Sequence, residues 1–212
     1  MILFLDVVSP LPEFSLIEDN KIIFSKKILT HNFDKMSDYL IPAYIDLDKK
    51  FSLDKRLELL VTNIGPGSYT ALRVGIAFLS GLSLAKNINL IGLSCVDLFR
   101  YEIKNEQLSS SVICISSSNN QKFICLYSVE KNKHIIHKIE NDDNLFYLDK
   151  LYINNIFTNI DLPKSQFELS NNINYTIISF HELVRKNIKK IISIPKQDII
   201  EPIYISNNKI LN

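Results

Sequence analysis

A chain of 212 residues, 46% of them hydrophobic, can bury one large domain or two small lobes. A net charge of +1 with 22% charged residues excludes a global field that would draw the chain onto nucleic acid or anionic lipid. The N-terminus lacks a cationic region and its apolar run is broken by Asp6, so it is not expected to be a signal peptide, and the uncharged apolar stretch 74–85 is far short of the ~20 residues that span a bilayer. The expectation is a soluble, cytoplasmic protein with no membrane partner. Cys95, Cys114 and Cys125 offer no C-x-x-C pair and read as buried thiols of a reducing cytosol.

In chain order, residues 2–5 read as a buried strand, followed by strands at 14–18 and 22–29 around the turn signal Asp19-Asn20. Phe33, Met36, Leu40, Tyr44, Leu47 and Phe51 then recur at three- and four-residue spacings, which predicts a helix with one apolar stripe. Asn32 or Asp34 is its expected cap, and Pro42 predicts a kink or a break. Residues 57–62 read as a strand buried on both faces, leading into Asn63-Ile64-Gly65-Pro66-Gly67; Ser68 is expected to cap a long helix to about Lys86. A strand at 90–93 and a short helix at 96–102 complete the first half.

The second half repeats the order: strands at 112–116, 123–129 and 135–139, a helix near 145–151, strands at 153–158 and 175–179, and a helix at 181–192. The fold class is therefore α/β, two lobes each with a mixed sheet and flanking helices, divided as 1–106 and 107–212. Arg185, Lys186, Lys189 and Lys190, with Lys196 beyond, read as the solvated face of the last helix, with a nucleic-acid phosphate contact as the minority alternative.

Gly65-Pro66-Gly67-Ser68 lies between a buried strand and a helix. Glycine allows positive φ and close backbone approach, and the serine hydroxyl can satisfy a free amide at the helix start. A Walker loop would need Lys where Ser68 and Tyr69 stand, and a dinucleotide fingerprint would need a small residue where Thr70 stands. Pro66 also removes one amide donor. The loop reads as a structural turn, with an anion site at the helix start as the alternative.

The run from Gly65 to Gly75, Gly-Pro-Gly-Ser-Tyr-Thr-Ala-Leu-Arg-Val-Gly, resembles the signature of the TsaB family, Gly-Pro-Gly-Ser-Phe-Thr-Gly-Leu-Arg-Ile-Gly. Eight of the eleven positions are identical, the changes being Tyr69, Ala71 and Val74. Leu40-Ile41-Pro42, Ser52-Leu53-Asp54, Gly81-Leu82-Ser83-Leu84-Ala85, Ile91-Gly92-Leu93-Ser94 and Glu201-Pro202-Ile203-Tyr204 are also similar to the family. Departures are Val7 and Val8 after Asp6, Met36 in place of a His, Ser116-Ser117-Ser118 in place of an Asp-Ala-Arg-like run, and Ser206 in place of an Arg.

The resemblance implies an actin-like (ribonuclease H-like) fold in both lobes. It implies a non-catalytic subunit of the machinery that places threonylcarbamoyl on the adenosine beside the anticodon of tRNA. Its implied partners are a TsaD-like catalytic subunit and a TsaE-like ATPase, with tRNA reached through the complex. The structural loop is Gly65, Pro66, Gly67, Ser68 and Arg73. The expected partner face is Met36, Leu40 and Tyr44 of the first helix with Ala77, Gly81 and Ala85 of the long one. These three small residues fall four apart on a helix that is apolar nearly all round, and such a face is expected to form a homodimer when the protein is alone. The alternative is an ATP-dependent kinase or ATPase of the same fold. Actin-like ATPases carry a metal-binding Asp where Asp6 stands but follow it with a glycine-containing phosphate hairpin, which Val7-Val8-Ser9-Pro10 lacks; Asp6 is thus expected to be a vestigial nucleotide site. The catalytic TsaD carries a His-x-x-x-His metal pair that is missing here. His134 and His137 lie on an alternating strand and point to opposite faces, while His31 and His181 read as caps or surface residues. No metal, cofactor or catalytic residue is expected.

Overall fold

Ile2–Asp6 forms β1, buried at every position. In this computed structural model, which describes residues 1–29, 34–139, 153–161, 173–197 and 199–205, β1 is the centre of a sheet. Glu13–Glu18 (β2) and Lys21–Lys27 (β3) run antiparallel beside it, and Leu59–Asn63 (β4) and Asn89–Leu93 (β5) run parallel, in the order β3-β2-β1-β4-β5. The second sheet repeats this plan. Ser111–Ser116 (β6) is its centre, Lys122–Ser128 (β7) and Lys133–Ile139 (β8) are antiparallel, and Asn155–Thr158 (β9) and Asn174–Ile177 (β10) are parallel. Two mixed five-stranded sheets with the same winding are the expected two-lobed α/β architecture.

The pleat of β1 divides the first lobe into layers. Leu5 and Val7 face the long helices Met36–Phe51 (α1) and Tyr69–Lys86 (α3), where an added Cβ on Gly75 would collide with Val7 Cγ1 and meet Leu5 Cδ2 at 3.3 Å. Phe14 of β2 joins that layer through ring contacts with Tyr44 and Phe78. Phe4 and Asp6 face the other way, toward Phe180–Lys186 (α5), which packs with Cys95–Arg100 (α4) through the Phe99–Phe180 contact. Gly75 is therefore a packing requirement. We expect Gly75→Ala to cost about 2–3 kcal/mol, because the group to be displaced is the branched, fully buried side chain of Val7 just beyond β1. Urea denaturation of Gly75→Ala, Val7→Ala and the double variant should give a double loss smaller than the sum, since Val7→Ala opens the space that the new methyl needs.

Several expectations change. Pro42 does not break α1, which runs continuously from Met36 to Phe51 with Pro42 on its exposed side. The helix ends at Ser52 in the left-handed region, before the short helix Leu53–Arg56 (α2). The α1 cap falls at Lys35 rather than Asp34, and Asn32 and Phe33 lie outside the described residues, as do His31, the helix expected near 145–151 and Ser206. The helix expected over 181–192 is two pieces, α5 and Ile188–Ile192 (α6). Asn187 separates them with φ −107° and ψ 17°, and its buried side-chain amide donates to Leu183 O at 3.0 Å and Glu102 Oε1 at 3.1 Å.

The 3-10 turn Asn105–Ser110 leads into the second sheet, close to the expected division at 106/107. The end of the chain does not stay with that sheet. Helix α5 packs on β1 and β3, and beyond α6 the chain meets β5 at Gly92 through Gln197 and Ile200. Gln197 accepts the Gly92 N–H at 2.8 Å and donates to Gly92 O at 3.3 Å, and Ile203 N–H donates to Ile64 O at 2.7 Å. Gln197 thereby serves the exposed edge of β5 as a strand would.

Candidate functional site

The C-terminal ends of β1 and β4 meet at Asp6 and Asn63. Asp6 Oδ1 accepts the Val8 N–H at 2.9 Å, the Ser9 N–H at 3.0 Å and Asn63 Nδ2 at 2.7 Å. Asn63 Oδ1 accepts the Val7 N–H at 2.9 Å. Asp6 is 1% exposed, and the two residues that follow it, Val7 and Val8, are fully buried. One carboxylate oxygen is thus committed to holding the chain that leaves β1. The other, Oδ2, is buried with no hydrogen bond and lies 3.7 Å from His181 Nε2.

His181 is not the cap or surface residue expected. Ser179 caps α5, accepting from Glu182 N–H, and His181 is buried. Its Nδ1 is hydrogen-bonded to Ser15 Oγ, its Nε2 lies 3.5 Å from Glu13 Oε2, and its ring meets Phe4 edge-on at 5.2 Å. The cluster ties a helix from the second half of the chain to β1 and β2. Nothing in the local sequence of His181 signals this, because its partners are 166 residues or more away.

The loop Gly65-Pro66-Gly67 carries the chain from β4 into α3. Gly65 has φ +112°, and a Cβ there would sit 2.7 Å from the backbone oxygen of Ile203. The Gly65–Pro66 peptide is cis. A Cβ on Gly67 would meet Val8 Cγ2 at 3.0 Å and Ser117 Oγ at 3.3 Å. Ser68 has the extended backbone of a cap, φ −60° and ψ 127°, but its hydroxyl makes no cap hydrogen bond. Its N–H donates instead to Ser117 Oγ at 3.1 Å, across to the second lobe. Asn159 Nδ2 donates to Ser9 Oγ at 3.3 Å along the same seam.

Asn159 is the counterpart of Asn63. Its Oδ1 accepts the Ser116 N–H at 2.8 Å and its Nδ2 donates to Ser116 O at 2.9 Å, so an Asn at the C-terminal end of the fourth strand grips the end of the first strand in both lobes. The tripeptide Thr-Asn-Ile stands at 62–64 and again at 158–160. Beside the seam a cleft of about 610 Å³ opens among Pro10, Met36, Ser68, Thr70, Ser118 and Asn119. Asp6 does not line it.

The long helices present their outer sides to solvent. Ala77, Gly81 and Ala85 are exposed, and nothing lies within 4 Å of a Cβ added to Gly81. Leu84 is 84% exposed. Met36, Leu40 and Tyr44 are buried, so the stripe expected to form the α1 part of this face belongs to the core; Tyr39, Ile41 and Ile45 are the exposed apolar residues of α1. Arg73 is exposed and rests on Tyr69.

The remaining candidates are structural. Arg185 pairs with Glu182 at 2.6 Å, Lys186 with Glu102 at 3.5 Å, and Lys190 lies over Tyr101 at 4.9 Å, a partly paired solvated face. Burial pushes the Cys114 thiol up to about 12 and raises Cys95 and Cys125 well above the ordinary range. The His134 imidazole is lowered by burial and by Arg100, against Asp97. Among the described residues no group of three His, Cys, Asp or Glu could hold a metal ion, and no helix is long and apolar enough to cross a membrane.

Comparison with known proteins places this geometry. The family model described as TsaD, tRNA N6-adenosine threonylcarbamoyltransferase, matches residues 35–204. A tRNA threonylcarbamoyladenosine biosynthesis protein TsaB from Buchnera aphidicola subsp. Baizongia pistaciae (strain Bp) is 29% identical over 83 residues, a match spanning 38% of this chain and 38% of that protein. Among solved structures, YeaZ from Pseudomonas aeruginosa superposes with a TM-score of 0.59 at 13% identity over 96% of this chain and 99% of its own. A second Pseudomonas aeruginosa structure, an uncharacterized protein with similarity to peptidase YEAZ, gives 0.60 at 13% identity over 97% and 99%. These two share the two-lobed fold. With the family model covering all but the first strands and the last few residues, the chain belongs to the TsaD tRNA N6-adenosine threonylcarbamoyltransferase family, as a TsaB/YeaZ-like member.

Proposed function

We propose that this protein is a non-catalytic subunit of tRNA threonylcarbamoyladenosine biosynthesis, which binds a TsaD-like catalytic subunit through the outer side of α1 and α3. The observation that carries the reading is the pair of helices side by side with an exposed line of small residues, Ala77, Gly81 and Ala85, flanked by a fully projecting Leu84. Small side chains let a second helix approach closely, and the projecting apolar groups need cover. The names of the similar proteins support a role in this pathway, and the family's name supports a TsaD-like subunit as the partner. A TsaE-like ATPase joins the complex, tRNA is reached through it, and the protein alone forms a homodimer through the same face. The protein works in the cytoplasm without cofactor or metal.

The enzyme reading, an actin-like kinase or ATPase, is the weaker one. Asp6 is buried, its Oδ1 accepts two backbone amides, its Oδ2 lies beside His181, and it does not line the cleft, which disfavours a role in holding a metal nucleotide there. Calorimetry should show no tight Mg-ATP binding by the protein alone and saturable binding of the TsaD-like subunit from the same cell. Micromolar ATP affinity that is lost in Asp6→Ala, with no partner binding, overturns the proposal in favour of the kinase.

A further inference from the structure

Tyr69, Arg73, Ala77, Gly81 and Ala85 are each four residues apart on α3, and all are exposed. They make one ridge, flat where the three small residues stand and raised at its head. The head is a built cluster. The Tyr69 ring, 55% exposed, stacks on Tyr204 with centroids 4.6 Å apart. The Arg73 guanidinium lies 5.0 Å from the Tyr69 ring, and Arg73 Nη1 donates to the Tyr69 hydroxyl at 2.6 Å. Tyr204 is brought here by the chain beyond α6, through the Ile203–Ile64 hydrogen bond and the paired contacts of Gln197 with Gly92.

The charge at the head is unbalanced. Of the four arginines in the chain, Arg56 makes two contacts with the Glu18 carboxylate and Arg185 two with Glu182, while Arg100 donates to Ile103 O and to the Asn105 side chain. Arg73 meets only a tyrosine hydroxyl among the described residues. Helix α3 contains no Asp or Glu to balance it, and its other cation, Lys86, pairs with Asp54 at the far end. A guanidinium held beside a ring by a hydrogen bond to its hydroxyl loses less freedom on binding than a free one and keeps its other donors for a planar acceptor. A single cation at the end of an otherwise apolar ridge suits one carboxylate on a protein helix better than the repeated phosphates of a nucleic acid.

We propose that Tyr69, Arg73 and Tyr204 are the polar anchor of the α3 docking face, and that the partner is a protein helix that sets one Asp or Glu carboxylate on the Arg73 guanidinium beside the paired tyrosines. This rests on the docking function proposed above. The flat part of the ridge supplies close approach, and the anchor sets the direction and register of the partner helix.

The test is calorimetry of the full chain with the TsaD-like subunit from the same cell, at two salt concentrations, for wild type, Arg73→Met, Arg73→Lys, Tyr204→Ala and Gly81→Leu. Arg73→Met should weaken binding about 10- to 100-fold and remove most of its salt dependence. Arg73→Lys should keep the salt dependence but not the full affinity, and Tyr204→Ala should weaken binding about tenfold. These side chains are on the surface, so the melting temperatures should stay at the wild-type value. If Gly81→Leu blocks binding while Arg73→Met binds as the wild type does, the docking function stands and the anchor is overturned. If the wild type does not bind the subunit, both fall. If Arg73→Met leaves protein binding unchanged and weakens tRNA binding instead, the cluster serves RNA and the proposal is also overturned.

Discussion

Gly81→Leu and Ala77→Arg should each weaken binding of the TsaD-like subunit by about 100-fold or more while leaving the melting temperature within a degree or two of wild type. The asymmetry comes from the local geometry. Nothing lies within 4 Å of a Cβ at Gly81, and Ala77 is exposed, so a larger side chain meets no atom of its own protein. Replacing a helix-interior Gly by Leu also removes a conformational cost of roughly 0.5–1 kcal/mol, which favours the folded state. The penalty therefore appears only when a second helix has to approach the ridge closely. The same variants should be monomers under conditions where the wild type sediments as a dimer. Circular dichroism melting together with sedimentation, with and without the partner, separates the outcomes. Melting that falls in step with lost binding would make the ridge an internal seam, and unchanged binding would place the interface elsewhere.

How much of this was legible in the sequence depends on how local each signal is. The strand–loop–helix unit around Gly65-Pro66-Gly67 is local: an apolar run, a glycine-rich crossing and a long apolar helix appear within about thirty residues and fold as expected. The repeated strand order of the two halves was also legible, because each strand announces itself by its own apolar run. The choice of faces was not. Met36, Leu40 and Tyr44 form part of the long periodic stripe on α1, and periodicity marks the side that turns inward; the exposed Tyr39, Ile41 and Ile45 include only one pair at helical spacing and so stand out little beside it.

Contacts between distant parts of the chain were silent for a different reason. His181 reads as a helix-start residue, yet Ser15, Glu13 and Asp6 bury it, because α5 crosses back to the first sheet. Gln197 reads as one polar residue in a tail, and only β5 gives it a role. One long-range signal was present and unread. Thr-Asn-Ile at 62–64 and 158–160 marks the duplicated Asn clamp directly, since the same side chain grips the end of the central strand in both lobes.

Gly65→Ala should lower stability by about 2–5 kcal/mol, or roughly 5–15 °C of melting temperature for a chain of this size, and should cost partner binding only in proportion to the fraction unfolded. Two separate costs combine. At φ +112° the backbone lies outside the small left-handed region that other residues visit, so an L side chain is strained there whatever space surrounds it. The new Cβ would also stand 2.7 Å from Ile203 O and 3.3 Å from Leu72 Cδ1. The first of these is a backbone atom and cannot turn aside as a flexible side chain would. Ile203 is held by its own N–H to Ile64 O at 2.7 Å, and Gly65 is held from the other side because its carbonyl accepts the Cys95 N–H at 2.8 Å. Relief thus requires the C-terminal segment to lift away from the loop, which would also draw Tyr204 off Tyr69. Gly67→Ala is the control. Its φ is not positive, and its nearest neighbours would be side-chain atoms of Val8 and Ser117 at 3.0 and 3.3 Å. It should cost on the order of 1 kcal/mol, felt at the contact between the lobes. Thermal melting of the two variants beside partner titration decides the matter. A Gly65→Ala protein that melts like the wild type but no longer binds would mean that the loop touches a ligand directly, because a purely structural turn cannot lose its function while keeping its stability.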